Sequence, residues 1–357
     1  MPERLKLAIA GLGRMGYVHA LNLFELHQKG DCEIAALVEI DPSRAQRFLQ
    51  TTGLKAAVLE SVNDLAKSGL CRAAWISTPT EKHQEHAQIL IEAGFRVFLE
   101  KPLTGTIEGD EAFATSLDRD HPDALMLGFQ RRFDEPLKFA KDLLDSGAIG
   151  PAFKIYSALE DSGPPPDGYH SGGILPDMSV HNVDEILWLT GRMPTAAVAI
   201  GSRLYGHTVS TCVEDFDDAL MTMWFGKGML AQVQVSRNHV SGYRVETIIF
   251  GAEGQIHIGS FDQQPVDIRV EAYGRRGKTE PIADRTFSMG KPATSGPEFM
   301  DRFGPAYQGE AAAFVQCCRE GNPFPVTHAD GLRAQKVITA AMRNIITVDD
   351  AGRLPSS

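Results

Sequence analysis

The chain is poor in cysteine, and its cysteines form no pattern. Cys32, Cys71, Cys212, Cys317 and Cys318 are odd in number and contain no Cys-x-x-Cys spacing. That argues against a zinc ribbon or a disulfide framework and fits a reducing, cytoplasmic compartment. No apolar run reaches the roughly 18 residues that a membrane span requires. The segment Met1-Pro2-Glu3-Arg4 runs straight into a strand-like stretch, so no secretory leader is expected. Runs of basic residues are missing too. The longest, Arg275-Arg276-Gly277-Lys278, is short and reads as a solvated turn. With 35 Lys and Arg against 46 Asp and Glu the net charge is −11, which disfavours nucleic acid and anionic membranes as partners. No set of side chains with metal-ligand spacing is complete, and no metal is expected. Repeats and low-complexity tracts are absent.

What remains is an ordinary globular composition, 43% hydrophobic and 23% charged over 357 residues, long enough for two domains. The first third alternates short apolar runs with amphipathic helices. Strands are predicted at Leu5–Ala10, Glu33–Val38, Ala73–Ser77, Arg96–Leu99 and Ala124–Leu127. Helices are predicted up to about His27, over Pro42–Gln50 and over Glu81–Ala93. This order implies a doubly wound parallel sheet with right-handed crossovers. The pattern changes near residue 129. A helix over Glu135–Asp145, the loop Gly163-Pro164-Pro165-Pro166 and a strong helix over Asp177–Leu189 come first. Strand-like segments then follow one another: Thr195–Ser202, Asp215–Phe225, Met229–Ser236, Glu246–Phe250, Gln255–Ile258 and Asp267–Glu271. Without crossover helices these predict an antiparallel sheet. The stretch Gly274–Gly304 reads as loop, and helices at Gln308–Arg319 and Ala329–Ile346 close the chain. The expected fold is therefore α/β plus α+β, with a Rossmann domain over 1–128 and a substrate-binding and oligomerisation domain over 129–357.

Gly11-x-Gly13-x-x-Gly16 stands between the first strand and the first helix. Gly11 permits a tight turn, Gly13 admits a pyrophosphate close to the backbone, and Gly16 allows helix and strand to pack closely. The N–H groups of Arg14, Met15 and their neighbours then offer a partial positive charge to phosphate. An isolated motif of this kind is weak evidence. Its strand–turn–helix context and an acid, Glu39, at the end of the second strand strengthen it. Glu39 suits two ribose hydroxyls and repels a 2′-phosphate. Ile40 follows rather than an arginine, which favours NAD over NADP, although Arg44 lies one helical turn on.

Three further segments carry unusual side chains. Glu100-Lys101-Pro102 follows an apolar strand, and ligands of open parallel sheets bind at such ends. A lysine there is also commonly just solvated. Asp177, His181 and Asp184 fall on one face of the predicted helix. They are a histidine general base with its orienting carboxylate, or simply an N-terminal acid paired with a histidine one turn on. Ser236 to Tyr243 ends a strand with several hydrogen-bonding groups, which line either a polar pocket or an exposed edge.

Together these residues resemble the Gfo/Idh/MocA oxidoreductases, and among them the inositol dehydrogenases. The resemblance covers nearly the whole chain. It is carried by Gly11–Gly16, Thr78-Pro79 with His83, Glu100-Lys101-Pro102, the run Gly128 to Phe133, and Gly172-Gly173 before Asp177-Met178-x-x-His181. Ser236-Arg237 through Tyr243, Ala306-Tyr307 and Asp330-Gly331-Leu332 extend it. It implies NAD as cofactor, bound by Gly11, Gly13, Arg14, Met15, Gly16, Glu39, Thr78, Pro79, His83, Glu100 and Lys101. It implies Lys101, Asp177 and His181 as catalytic residues, and Arg131, Asp161, His170, Asp184, His239 and Tyr243 as contacts to a polyol or sugar. It further implies homo-oligomers, dimer or tetramer, formed through the face of the second sheet. An aldose or sugar-acid dehydrogenase, or an NAD-binding sensor without turnover, are the competing readings. The sequence departs from the subgroup at Asn182, where an aspartate is usual, and near Glu160-Asp161, where an arginine is missing.

Overall fold

A computed structural model describes residues 4–163, 172–203, 215–259, 266–275, 280–290 and 297–348. The chain divides into two units, Met1–Gln130 with Tyr307–Leu332, and Arg131–Ala306 with Arg333–Ser357. A single cut after residue 128 thus misses one feature: the segment Tyr307–Leu332 belongs with the first unit.

The first unit runs β1 (Leu5–Ala10), α1 (Arg14–Lys29), β2 (Cys32–Val38), α2 (Pro42–Thr52), β3 (Ala57–Leu59), α3 (Val62–Ser68) and β4 (Ala73–Ile76). It continues through α4 (His83–Glu92), β5 (Arg96–Glu100), α5 (Ile107–Asp120) and β6 (Leu125–Gly128). All six strands are parallel, in the order β3-β2-β1-β4-β5-β6. Strand order reverses between β1 and β4, the position where such sheets bind ligands beyond their carboxyl ends. Strands β4, β5 and β6 are buried along their length, as expected of a sheet covered on both faces. Their core includes Trp75 stacked on Phe98, with Phe314 edge-on to Trp75 at 5.5 Å. Helix starts are set locally: Asp41, Ser61 and Thr106 cap α2, α3 and α5 through their side-chain oxygens.

The second unit contains α6 (Glu135–Asp145), β7 (Ala152–Glu160), α7 (Val180–Thr190), β8 (Ala196–Ser202), β9 (Asp218–Phe225), β10 (Met229–Ser236) and β11 (Arg244–Gly251). Strands β12 (Gly254–Ile258), β13 (Asp267–Gly274) and β14 (Ala283–Ser288) follow. Helices α8 (Glu298–Glu320) and α9 (His328–Arg343) and strand β15 (Ile345–Val348) end the described chain. The nine strands lie in the order β14-β13-β12-β11-β7-β10-β9-β8-β15. Most pairs are antiparallel, as expected, but β7 with β10 and β15 with β8 are parallel. Along β9 and β10, burial alternates between neighbouring residues, so one face of the sheet is packed and the other is open.

β7 sits in the middle of the sheet yet has no clean signal in the sequence. One face carries Lys154, Tyr156 and Glu160, the last buried against Gln234 and Arg244, and these polar side chains interrupt any apolar run. β14 lies within the stretch that reads as loop, because four of its six residues are exposed polar side chains.

The second unit is held by buried ion pairs as well as by apolar packing. Arg302 grips both oxygens of Asp134 at 2.6 and 2.8 Å, and both residues are buried. Asp134 also caps α6 by accepting the Leu137 N–H. Removing one partner of such a pair leaves an uncompensated charge inside the protein. Asp134→Ala should therefore lower unfolding stability by about 3–5 kcal/mol, read as a shift of the denaturant midpoint. A change within experimental error would show that the pair does not hold α6 in place.

Candidate functional site

The glycine turn has the geometry a dinucleotide needs. Gly11 has φ +90°, and a Cβ there would lie 2.7 Å from the Ser77 carbonyl oxygen. At Gly16 a Cβ would stand 2.1 Å from the Gly11 carbonyl oxygen, so helix and turn touch only because both residues are glycine. Gly13 differs: a Cβ added there would meet nothing within 4 Å. Its need for glycine lies on the open side, where a pyrophosphate approaches. Gly13 also begins α1 with no side-chain cap, and the positive end of the helix dipole lies at this turn, a place suited to an anion.

Glu39 is buried at the end of β2. Its oxygens accept from the N–H of Leu12 at 2.7 Å and of Asp41 at 3.0 Å. The carboxylate is thus fixed against the glycine turn, with lone pairs left for ribose hydroxyls. Ile40 beside it is 88% exposed, an apolar surface next to the ribose position. The residues present fit NAD.

Two further strand ends converge through histidines. His83 is buried, with Nε2 2.9 Å from the Thr78 carbonyl and Nδ1 2.7 Å from the Pro102 carbonyl. It ties the loop after β4, which carries Thr78 and Pro79, to the loop after β5. Burial pushes the His83 imidazole below its usual value, and the two facing carbonyls oppose that push. Since two acceptors want two N–H donors, His83 is a strained compromise rather than a simple neutral ring. His19, on α1, approaches Glu100 with Nε2 to Oε1 at 2.7 Å, while the other oxygen accepts the Lys101 N–H at 2.8 Å. Burial raises the Glu100 carboxyl, but the hydrogen bond from His19, with Lys101 close by, outweighs it and holds the carboxyl below its ordinary value. Lys101 is partly exposed and precedes Pro102 across a cis bond.

In the second unit, the chain before α7 forms a π-helical turn over Leu175–Ser179. The helix expected from Asp177 is therefore α-helical only from Val180. Pro176 has no N–H to give, and Ser179 Oγ bonds back to the Leu175 carbonyl at 2.6 Å. Single π turns inside helices often mark functional positions. Asp177 and His181 remain partly exposed, whereas every residue from Asn182 to Leu187 is buried. Arg237, itself buried, places Nη2 3.6 Å from Asp177 Oδ2. The sequence reading did not assign Arg237 a role; its position just past β10 was the available signal.

The expected polyol contacts separate into two groups. Asp161, His239 and Tyr243 come together at the turn after β10: the His239 N–H bonds the Asp161 carbonyl at 3.0 Å, and the Asp161 N–H bonds the Ser236 carbonyl at 2.8 Å. His239 Nδ1 meets the Gly242 carbonyl. Burial, and then the Asp161 charge, push the Tyr243 phenol well up, so it stays a donor. Arg131 and Asp184 behave otherwise. Arg131 is buried and paired with buried Glu185 at 2.7 Å, which makes it a core residue and not an open hydroxyl contact. Asp184 is buried and clamped through both oxygens by Arg132 at 2.5 and 2.9 Å. The adjacent arginine, which the sequence reading passed over, thus neutralises it. His170 lies outside the described residues. Asn182 points inward, giving its Nδ2 to Ser157 Oγ at 2.7 Å, so the departure noted there is absorbed within the core. No cluster able to hold a metal occurs among the described residues.

Comparison with known proteins agrees with this geometry. Residues 5–128 match the profile of the oxidoreductase family with NAD-binding Rossmann fold, and residues 137–257 match the GFO/IDH/MocA C-terminal domain. The chain belongs to the Gfo/Idh/MocA family of oxidoreductases. It is 30% identical to scyllo-inositol 2-dehydrogenase (NAD(+)) of Bacillus subtilis (strain 168), over 92% of this chain and 91% of that one. It is 26% identical to inositol 2-dehydrogenase of Rhizobium meliloti (strain 1021), over 96% and 97%. Among solved structures, scyllo-inositol dehydrogenase from Lactobacillus casei with bound cofactor NAD(H) and scyllo-inositol superimposes with a TM-score of 0.79. That pair is 26% identical, with 96% of this chain and 97% of that chain covered.

Glu39 provides a direct test of the cofactor site. In Glu39→Gln the amide can accept from one of the two N–H groups but faces the other with a donor. Losing a charge-assisted hydrogen bond costs about 1.5–3 kcal/mol, so NAD affinity should fall about 10- to 100-fold in calorimetric titration. An unchanged Kd would remove Glu39 from the site.

Proposed function

We propose that the protein is an NAD-dependent dehydrogenase that oxidises a secondary ring alcohol of a cyclic polyol, an inositol, to the ketone. The observation that carries this reading is that a dinucleotide cradle, Gly11 to Gly16 with Glu39, occurs in a chain whose Lys101, Asp177 and His181 all remain partly exposed. The similarity to inositol dehydrogenases over nearly the full chain supports the substrate class.

When bound, NAD supplies the hydride acceptor. Gly11, Gly13 and Gly16 would hold its pyrophosphate at the start of α1 and Glu39 would take the ribose hydroxyls, with Thr78, Pro79 and His83 shaping the loop beside them. Lys101 donates a hydrogen bond to the reacting oxygen and stabilises its developing negative charge. His181 accepts the hydroxyl proton. Asp177 stabilises the imidazolium so formed. Asp161, His239 and Tyr243 read the remaining hydroxyls, with Tyr243 as donor and Asp161 as acceptor. A site that bonds several hydroxyls rejects an analogue lacking one by large factors.

The open face of the nine-stranded sheet supports self-association into a dimer or tetramer. Register places Ile346, Ile200 and Leu220 in one row and Trp224 beside Leu230 in another, all pointing outward. Leu220, Trp224, Leu230 and Ile346 are each 39–44% exposed, an apolar area that a second copy would cover. Light scattering at working concentration should report an oligomer, and Trp224→Glu should shift it toward monomer. A wild-type monomer would end that proposal. Among the described residues, no helix is long and apolar enough to cross a membrane, and Cys32 and Cys71 are free thiols. We accordingly place the enzyme in the cytoplasm.

The functional test is formation of reduced nicotinamide with NAD and NADP across myo-inositol, scyllo-inositol, aldoses and acyclic polyols. Activity on an inositol with NAD is expected. Activity confined to aldoses would move the substrate to sugars, and binding of NAD without any turnover would point to a sensor. His181→Ala should keep NAD affinity and lose about 10²- to 10⁴-fold in kcat; turnover near wild type would remove His181 as the base.

A further inference from the structure

Glu310 on α8 is wholly buried, and neither of its carboxyl oxygens has a hydrogen-bond partner. A bare carboxylate in such a place costs several kcal/mol, and a group so placed takes up a proton instead. Its surroundings follow from the helix. Tyr307, Glu310 and Phe314 are three and four residues apart and share one face. The Tyr307 ring lies 5.4 Å from the His19 ring, and the Phe314 ring lies 5.5 Å from Trp75 and 6.1 Å from Phe98. Glu310, between them, faces the same patch of α1, β4 and β5. On that patch three more buried polar atoms lack partners: His19 Nδ1, Asn22 Nδ2 and Trp75 Nε1. His19 and Asn22 are three apart on α1, and the His19 and Trp75 rings are 4.9 Å apart. Buried polar groups are seldom left unsatisfied, and here donors and acceptors are gathered from adjoining elements.

We propose that Glu310 is a protonated carboxylic acid whose O–H serves His19 Nδ1 through one buried water, so that Glu310, His19 and Glu100 form a relay that positions Lys101. Each link is chemically consistent. With the Nε2 proton given to Glu100, Nδ1 is an acceptor and needs a donor, which a neutral acid provides. Glu100 in turn accepts the Lys101 N–H. The titratable groups facing Glu310 are His19 from α1 and Glu100 at the end of β5. Burial, and then the Glu100 charge, push the Glu310 carboxyl well above its ordinary value. Two carboxylates so close do not both ionise, and Glu100 keeps the charge because it has His19 and Lys101. Glu310 acts through other residues and is a positioning residue.

The proposal rests on Lys101 serving the reaction, so the test includes readouts that do not need turnover. Wild type, Glu310→Gln and Glu310→Leu are compared as purified full-length protein. Infrared difference spectra should show the carbonyl stretch of a protonated acid in wild type and not in either variant; its absence from wild type overturns the neutral acid. Stability against pH gives a second view. The unfolded chain releases this proton near the ordinary carboxyl value of 4.5, and the folded chain only well above it. Wild type should therefore lose stability as pH rises above that value, and Glu310→Gln should remove this slope. Hydrogen exchange of the peptide containing Lys101 should accelerate in Glu310→Leu and stay unchanged in Glu310→Gln, which retains a donor. In turnover, Glu310→Leu should lose about 10-fold in kcat, equivalent to about 1.4 kcal/mol, with KM for NAD unchanged, and Glu310→Gln should remain close to wild type. Equal exchange and equal kcat in the Leu and Gln variants would overturn the positioning role. Faster exchange with no activity in any variant, wild type included, would uphold the relay and refute the assigned reaction.

Discussion

The carboxylate of Glu100 is the constraint on which the first unit's site depends. A charge buried at the end of a strand is unfavourable unless its oxygens are hydrogen-bonded and its charge is balanced. Glu100 meets both conditions with His19 from α1 and the main-chain N–H of Lys101. The consequence is geometric. Lys101, the proposed donor to the reacting oxygen, starts from a backbone held by the carboxylate before it. His83 fastens the next loop by spanning the Thr78 and Pro102 carbonyls, and Glu39 does the same for the glycine turn and β2. The ends of β1, β2, β4 and β5 are linked by side chains where the sheet's own hydrogen bonds have run out.

The second unit uses the same device with arginine. Arg131 with Glu185, Arg132 with Asp184 and Arg302 with Asp134 are buried or nearly buried pairs, two of them gripping both carboxylate oxygens. Thr247 and Ser157 complete the shell of Glu185, and Asn182 joins it through Ser157. Such pairs add little net stability over apolar packing, but they penalise any arrangement that separates them. They fix α7 against β7 and β11. At the start of this helical segment Asp177, 3.6 Å from Arg237, and His181 are partly exposed.

The first sheet was legible because each strand is a short apolar run and each glycine, cap and helix stop has a local cause. Glu39, Lys101, Asp177 and His181 can be singled out as candidates for a similar reason: each stands at a position, strand end or helix start, that sequence pattern can locate. The pairings were not. Arg131 and Arg132 are adjacent and chemically alike in the sequence, and only the fold sends one inward to Glu185 and the other to Asp184. Glu310 looks like any acid on an amphipathic helix, and its burial depends on Tyr307–Leu332 packing with the first unit, a contact more than 200 residues distant from Glu100 in the chain. β7 was hidden because one of its faces carries charged side chains, which is the face a strand pattern needs to be simply polar or simply apolar.

Which hydroxyls the site reads follows from this division between sealed and open groups. Asp184 and Arg131 cannot both satisfy each other's neighbours and turn toward a ligand, since both are buried and paired. A substrate hydroxyl that approached Asp184 would have to compete with a bidentate guanidinium, a stronger partner than a neutral hydroxyl. Asp161 and Tyr243 stand together at the turn after β10, where burial and then the Asp161 charge push the Tyr243 phenol up. A phenol held in its protonated form donates, and a carboxylate accepts, so together they suit adjacent hydroxyls of opposite demand. In the proposed function, substrate choice falls to the turn after β10, while the arginines beside α7 keep the helix in register. Differences between relatives at Asn182 or Asp184 then change the support of the site before they change what it recognises.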